Sequence, residues 1–125
     1  MENIQYNSVG PRMSGSVLYN GILFLAGQVA NPAEDGDDVA KQTATVLRKI
    51  DALLKEAGTS KENVLKAEVW LAQIKDFDAM NSVYDKWVVP GRTPARCCGE
   101  SRLVKPEYLV EIMITAAVPP SAPTL

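Results

Sequence analysis

Three stretches of this chain, Ile22–Ala26, Val69–Ala72 and Leu109–Ala117, are apolar on both of their alternating sides, and that pattern constrains the fold more than any other feature. Successive side chains of a strand point to opposite faces, so a strand apolar on both sides needs cover on both. Only two segments carry a helical period. From about Asp38 to Ala57, the residues Val39, Thr43, Val46, Leu47, Ile50, Leu53, Leu54 and Ala57 recur at three- and four-residue steps. From about Phe77 to Val88, the residues Phe77, Met80, Val83, Tyr84 and Trp87 make a second stripe. Two helices cover one face of a sheet. The second face must then be covered by other copies of the chain, with Ile112 and Ile114 as candidates for it, so oligomerisation is expected from the residue pattern itself.

The remaining elements fall around these. Asn20-Gly21 between Ser16–Tyr19 and Ile22–Gly27 is the signal of a tight hairpin. The residues before it, 1–14, are polar with a turn at Gly10-Pro11, and Asn31–Asp37 reads as a loop. Asp37 is placed to cap the first helix and Gly58 to end it in a left-handed turn; Asp76 is placed to cap the second. Lys41, Arg48, Lys49, Lys55 and Glu56 lie off the apolar stripe and should be solvated. Val64–Ile74 reads as a strand with Ala67, Val69 and Leu71 on one side and Leu65, Trp70 and Ala72 on or near the other. Arg96–Leu103 and Tyr108–Val118 read as a final hairpin around Lys105-Pro106, followed by a proline-rich tail from Pro119. The order hairpin, helix, strand, helix, hairpin predicts an α+β fold, a mixed sheet with two helices on one face. The 125 residues suit a single domain, with its core over about 10–118.

The chemistry is bounded by what is missing. There is no histidine, which excludes a Ser-His-Asp triad, a Cys-His nucleophile pair and a His-ligated metal. Proton transfer must use carboxylates, Lys, Tyr, Cys, water or the backbone. The only cysteines, Cys97 and Cys98, are neighbours, so they form neither a CxxC metal site nor a long-loop disulfide, and a reducing cytoplasmic compartment is the simplest expectation. No basic segment followed by an apolar core begins the chain, and no apolar run approaches the ~20 residues of a membrane span, so neither signal peptide nor membrane partner is expected. A net charge of -2 gives no basic footprint for nucleic acid.

Against that background two residues carry the strongest chemical signal. Arg96 and Cys98 are two apart and share one side of an extended segment. Glu111 is a lone carboxylate in an otherwise buried-strand sequence, Leu109-Val110-Glu111-Ile112-Met113-Ile114. A guanidinium can hold a substrate carboxylate, and a half-buried glutamate can orient a water. The plainer readings are an Arg96 salt bridge to Glu100 or Glu111, and a Glu111 satisfied by backbone amides. Cys98 has no base to form a thiolate, which favours packing and backbone contact over covalent chemistry. Cys97 points the other way and reads as core.

Ala26-Gly27-Gln28, Asp76-Phe77-Asp78-Ala79-Met80-Asn81-Ser82-Val83-Tyr84, Pro94-Ala95-Arg96-Cys97-Cys98 and Leu109-Val110-Glu111-Ile112, in this order, resemble the RidA (YjgF) family of reactive-intermediate deaminases. The resemblance covers roughly residues 10 to 118. It implies a chorismate-mutase-like fold and a homotrimer whose sheets meet in a central barrel, with sites in the clefts between subunits. It also implies hydrolysis of enamines and imines released by pyridoxal-phosphate enzymes, of the 2-aminoacrylate type, to 2-oxo acids and ammonia, with no metal or organic cofactor. On this resemblance Arg96 pairs with the carboxylate of a small-molecule substrate. The main chain of Cys98 lies beside that substrate, Glu111 positions or activates the water, and Asn81 sits near the site. Two positions depart from the pattern: Arg12-Met13-Ser14-Gly15 lacks the usual tyrosine, and Ala26 stands where serine is common. A non-catalytic binding protein for small carboxylates is the alternative these departures leave open.

Overall fold

The computed structural model describes residues 3–120. Of the expected proline-rich tail, Pro119 and Pro120 fall within them and the rest lies outside the described residues. The strands are β1 (Gln5–Val9), β2 (Ser14–Tyr19), β3 (Ile22–Leu25), β4 (Gln28–Val29), β5 (Val64–Leu71), β6 (Ala95–Glu100) and β7 (Val110–Ala117). The helices are α1 (Pro32–Asp35), α2 (Val39–Glu56) and α3 (Phe77–Trp87). One mixed sheet runs in the order β1-β2-β3-β7-β5-β6, with β4 pairing β7 beyond the end of β3. This is the expected α+β architecture.

The hairpin β2–β3 turns at Asn20 and Gly21, both at positive φ (51° and 73°), as a tight hairpin turn demands. Helix α2 forms because its apolar residues share one stripe. Val39, Val46, Leu47, Ile50 and Leu54 are buried against the sheet, while Lys41, Arg48, Lys55 and Glu56 are exposed. Lys49 is half-buried instead and donates to the Val29 carbonyl at 2.7 Å, tying α2 to β4. At the C-terminus, Gly58 (φ 84°) sends its N–H to the Lys55 carbonyl and Thr59 sends its N–H to that of Leu54, a Schellman closure. The N-cap is Asp38 rather than the expected Asp37; its Oδ1 accepts from the Lys41 N–H at 3.1 Å. The shift follows from α1, a single helical turn in the segment read as loop, which places Gly36 at positive φ and delays the helix start by one residue. Asp76 precedes α3 without a side-chain capping bond. Trp87 Nε1 donates to Asp51 Oδ1 at 2.9 Å and ties α3 to α2.

Three expectations are corrected. The last two strands are not a hairpin: β5 lies between β6 and β7, antiparallel to β7 and parallel to β6. A parallel neighbour needs a crossover, and α3 supplies it between β5 and β6. The interior place suits β5, whose Val64, Ala67, Val69 and Leu71 are all buried. Second, the polar N-terminal region contains a strand, β1, on the sheet edge. Third, Ile112 and Ile114, candidates for the helix-free face, are buried with Leu23, Val69 and Leu71 in the core beneath the helices. The residues between them, Glu111, Met113 and Thr115, face the other way. That second face carries Ile22, Phe24, Leu65 and Met113 exposed. Leu65 reaches it through a register shift between Val64 and Lys66, which lets Val64 and Ala67 both turn inward.

Candidate active site

Arg96 lies on the edge strand β6, paired in register with the buried Ala67, so its side chain emerges on the helix side. There α3 meets it with one stripe of residues. Arg96 Nη1 donates to Asn81 Oδ1 at 2.7 Å. Its guanidinium carbon lies 4.8 Å from the centroid of the Tyr84 ring and 5.9 Å from that of Phe77. No carboxylate pairs with it among the described residues, where the one ion pair joins Lys66 and Glu68 at 4.0 Å. Glu100, weighed as its salt-bridge partner, instead accepts the Ile74 N–H at 2.9 Å. Arg96 is thus held by neutral groups with its charge uncompensated.

Cys98 shares the Arg96 side, half-buried against the core. Burial raises its thiol pKa above the ordinary value; the nearby Arg96 opposes this and Cys97 adds to it. The group is a protonated thiol at neutral pH, which fits packing rather than attack. Cys97, expected in the core, is exposed on the open face, in register with Glu68. The core lies on the side of Cys98 because Ala67 and Val69, the partners of Arg96 and Cys98, face the helices.

Glu111 is half-buried on the open face, opposite Trp70 of β5 and Val29 of β4. It lies against Gly27: a Cβ at that position would come within 3.0 Å of the Glu111 Cδ and 3.3 Å of its Cγ, and closer still to Oε2. The glycine therefore leaves the space the carboxylate fills. Arg96 and Glu111 consequently occupy opposite faces of one sheet, and a single chain does not bring them together. This excludes the Arg96–Glu111 salt bridge within one copy.

The clefts of the single chain agree. One of about 280 Å³ lies between β1–β3 and the end of α2, lined by Asn7, Ser16, Leu18, Leu53 and Glu56 among others, away from both residues. No group of three or more His, Cys, Asp or Glu side chains among the described residues could hold a metal ion, and no helix among them is long and apolar enough to cross a membrane. Sequence reading missed Gly27 as a partner of Glu111, and it read Phe77 and Tyr84 as core alone. The 77-81-84 spacing was the available signal, since it puts both rings on the stripe of Asn81.

Fold and geometry together define a small α+β domain whose candidate site residues, Arg96 and Glu111, are divided between the two faces of one sheet. Comparison with known proteins gives this class its family. The family model described as Endoribonuclease L-PSP matches residues 7–118. A RutC family protein of Haemophilus ducreyi is 43% identical over 107 residues, covering 86% of this chain and 90% of its own. The RutC family protein YoaB of Escherichia coli is 42% identical over 107 residues, covering 86% and 91%. The crystal structure of a YjgF family member from Neisseria meningitidis superposes with a TM-score of 0.89 at 46% identity, covering 95% of this chain and 98% of that one. The chain belongs to this YjgF/RutC family.

Proposed function

We propose that this protein hydrolyses small imines and enamines that carry a carboxylate, giving 2-oxo acids and ammonia. The observation that carries the reading is Arg96, an arginine oriented by neutral neighbours and left without an internal counter-ion. Such a group is poised for a bidentate contact with a substrate carboxylate. Glu111 supplies the second function, taking a proton as water adds to the imine carbon. The carbon–nitrogen double bond becomes a carbinolamine; the nitrogen is protonated and leaves as ammonia as the C=O forms. An enamine first gains a proton at carbon to become the imine. These intermediates hydrolyse in water unaided, so positioning and electrostatics are all that the site must add. The main chain of Cys98, on the edge strand β6, would flank the bound acid.

Because Arg96 and Glu111 sit on opposite faces, one substrate meets both only between copies. Edge strand β6 of one copy would dock over the open face of the next. The exposed Ile22, Phe24, Leu65 and Met113 give that face a reason to be covered, and closed cyclic symmetry, as in a homotrimer, covers it on every copy.

The test generates 2-aminoacrylate or a related imine with a pyridoxal-phosphate lyase or an amino-acid oxidase and follows ammonia release. Acceleration by the wild type and its loss in Arg96→Ala support the reading. No acceleration with several amino-acid-derived imines refutes it. Binding of 2-oxo acids without turnover would instead identify a carboxylate-binding protein, the reading that Ala26 and the tyrosine-free Arg12–Gly15 segment favour.

A further inference from the structure

We propose that Phe77, Asn81 and Tyr84 form a clamp on α3 that fixes the Arg96 guanidinium in place while leaving its charge unspent. The inference rests on the reading of Arg96 as the carboxylate anchor and names the residues that position it. An exposed arginine ordinarily samples many rotamers, and each must be frozen before a planar bidentate contact forms. Here three contacts hold it at once. Asn81 Oδ1, 2.7 Å from Nη1, fixes the guanidinium through one of its nitrogens. The Tyr84 ring, 4.8 Å from the guanidinium carbon, gives it a platform, and Phe77 at 5.9 Å gives a second aromatic neighbour. The platform is itself rigid. Tyr84 is only 5% exposed and packs against Trp87 with ring centroids 6.0 Å apart.

The chemistry of the three residues is the telling point. A carboxylate at position 81 would hold the guanidinium at least as firmly, but it would also cancel the charge that the ligand needs. An amide oxygen and two ring faces orient the cation and cancel nothing. Among the described residues, the Nη1 bond to Asn81 is the one hydrogen bond the Arg96 side chain makes, so Nε and Nη2 remain as the paired donors for a carboxylate. The Tyr84 hydroxyl is buried without a partner, so the ring rather than the hydroxyl is what the site uses.

The experiment measures the order of the Arg96 Nε–H by 15N relaxation in the free protein, together with pyruvate affinity by titration. In the wild type, Arg96 should be as ordered as the backbone, unlike the exposed Arg12. Tyr84→Leu should loosen Arg96 and weaken pyruvate about two- to fivefold. Asn81→Asp, close to isosteric and half-exposed, serves where Tyr84→Leu fails to fold: it should keep Arg96 ordered and weaken pyruvate about tenfold or more. An Arg96 as mobile as Arg12 in the wild type overturns the clamp, even if pyruvate binds. Unchanged pyruvate affinity in Asn81→Asp overturns the role of the neutral oxygen. A rigid Arg96 with no pyruvate binding overturns the carboxylate reading of the site and leaves the clamp standing.

Discussion

Replacing Gly27 with alanine should disable turnover without unfolding the protein. The added Cβ would lie 3.0 Å from Glu111 Cδ and 3.3 Å from Cγ, and nearer to Oε2. Ordinary carbon contacts begin near 3.5 Å, so the carboxylate must retreat by about 1 Å. It can do so because the displaced atoms are the far end of a flexible side chain. The Gly27 backbone also lies outside the left-handed region, so alanine brings no backbone strain. The stability change should therefore stay within about 1 kcal/mol, read as the midpoint of urea unfolding. A misplacement of about 1 Å at a group that orients water costs on the order of 10²-fold in kcat, or about 2.7 kcal/mol of barrier. KM should move little, since on the proposed reading Arg96 anchors the carboxylate. The assay is ammonia release from 2-aminoacrylate under saturating substrate, with Glu111→Gln as the reference for complete loss of the base. A Gly27→Ala variant that turns over within threefold of wild type, with a crystal structure showing Glu111 displaced, would refute the role given to the carboxylate.

Three further outcomes can be checked. Burial raises the Cys98 pKa, so its thiolate forms only above the pH at which a free cysteine ionises; alkylation of Cys98 followed by mass spectrometry should be slow at neutral pH and rise later than for free cysteine, and Cys98→Ala should retain turnover within about threefold. Trp87→Phe removes the bond to Asp51 and should cost about 1–2 kcal/mol in urea unfolding, because Asp51 is exposed and regains water. Met113→Lys, on the open face, should abolish assembly and turnover together, measured by sedimentation equilibrium and ammonia release; a wild type that sediments as a stable monomer at micromolar concentration would overturn the assembly and the shared site at once.

What could be read from the sequence was what is local. Helix α2 was legible because its stripe and Gly58 each determine structure within a turn or two of themselves. The Asn20-Gly21 hairpin was legible for the same reason. Strand β1 was not, because Gln5–Val9 has no buried face to leave a pattern; it is held by pairing with β2 alone. The false hairpin between β6 and β7 has a long-range cause. Lys105-Pro106 is a turn in either topology, and only the insertion of β5 between the two strands distinguishes them. Parity failed where both sides of a strand are apolar. In Leu109–Ala117 a shift of one residue exchanges Ile112 for Met113, and the local sequence does not choose. Arg96, Cys98 and Glu111 were recognisable as residue types in a motif, but their faces were not. The contact of Arg96 with Asn81 and Tyr84 likewise depends on how α3 crosses back over β6.

The division of the site between faces follows from the same sheet that organises the fold. Arg96 emerges on the helix side of an edge strand because its partner Ala67 faces the helices, and α3 then fills the space above it with neutral groups. Glu111 emerges on the open side because Val110 and Ile112, its neighbours, are needed in the core. Moving Glu111 by one position would put a charge into the core and an apolar side chain out of it, a double cost, and moving Arg96 by one would carry it to the open face, away from Asn81 and Tyr84. As placed, the two do not meet within one copy. The carboxylate stands instead among the residues that most need cover, with Met113 two positions along the same strand face. On the proposed reading, the contact that buries this face is also the contact that brings a neighbour's arginine to the glutamate. Assembly and catalysis then depend on one surface, and a monomer would retain the fold, the clamp and the carboxylate while lacking a site.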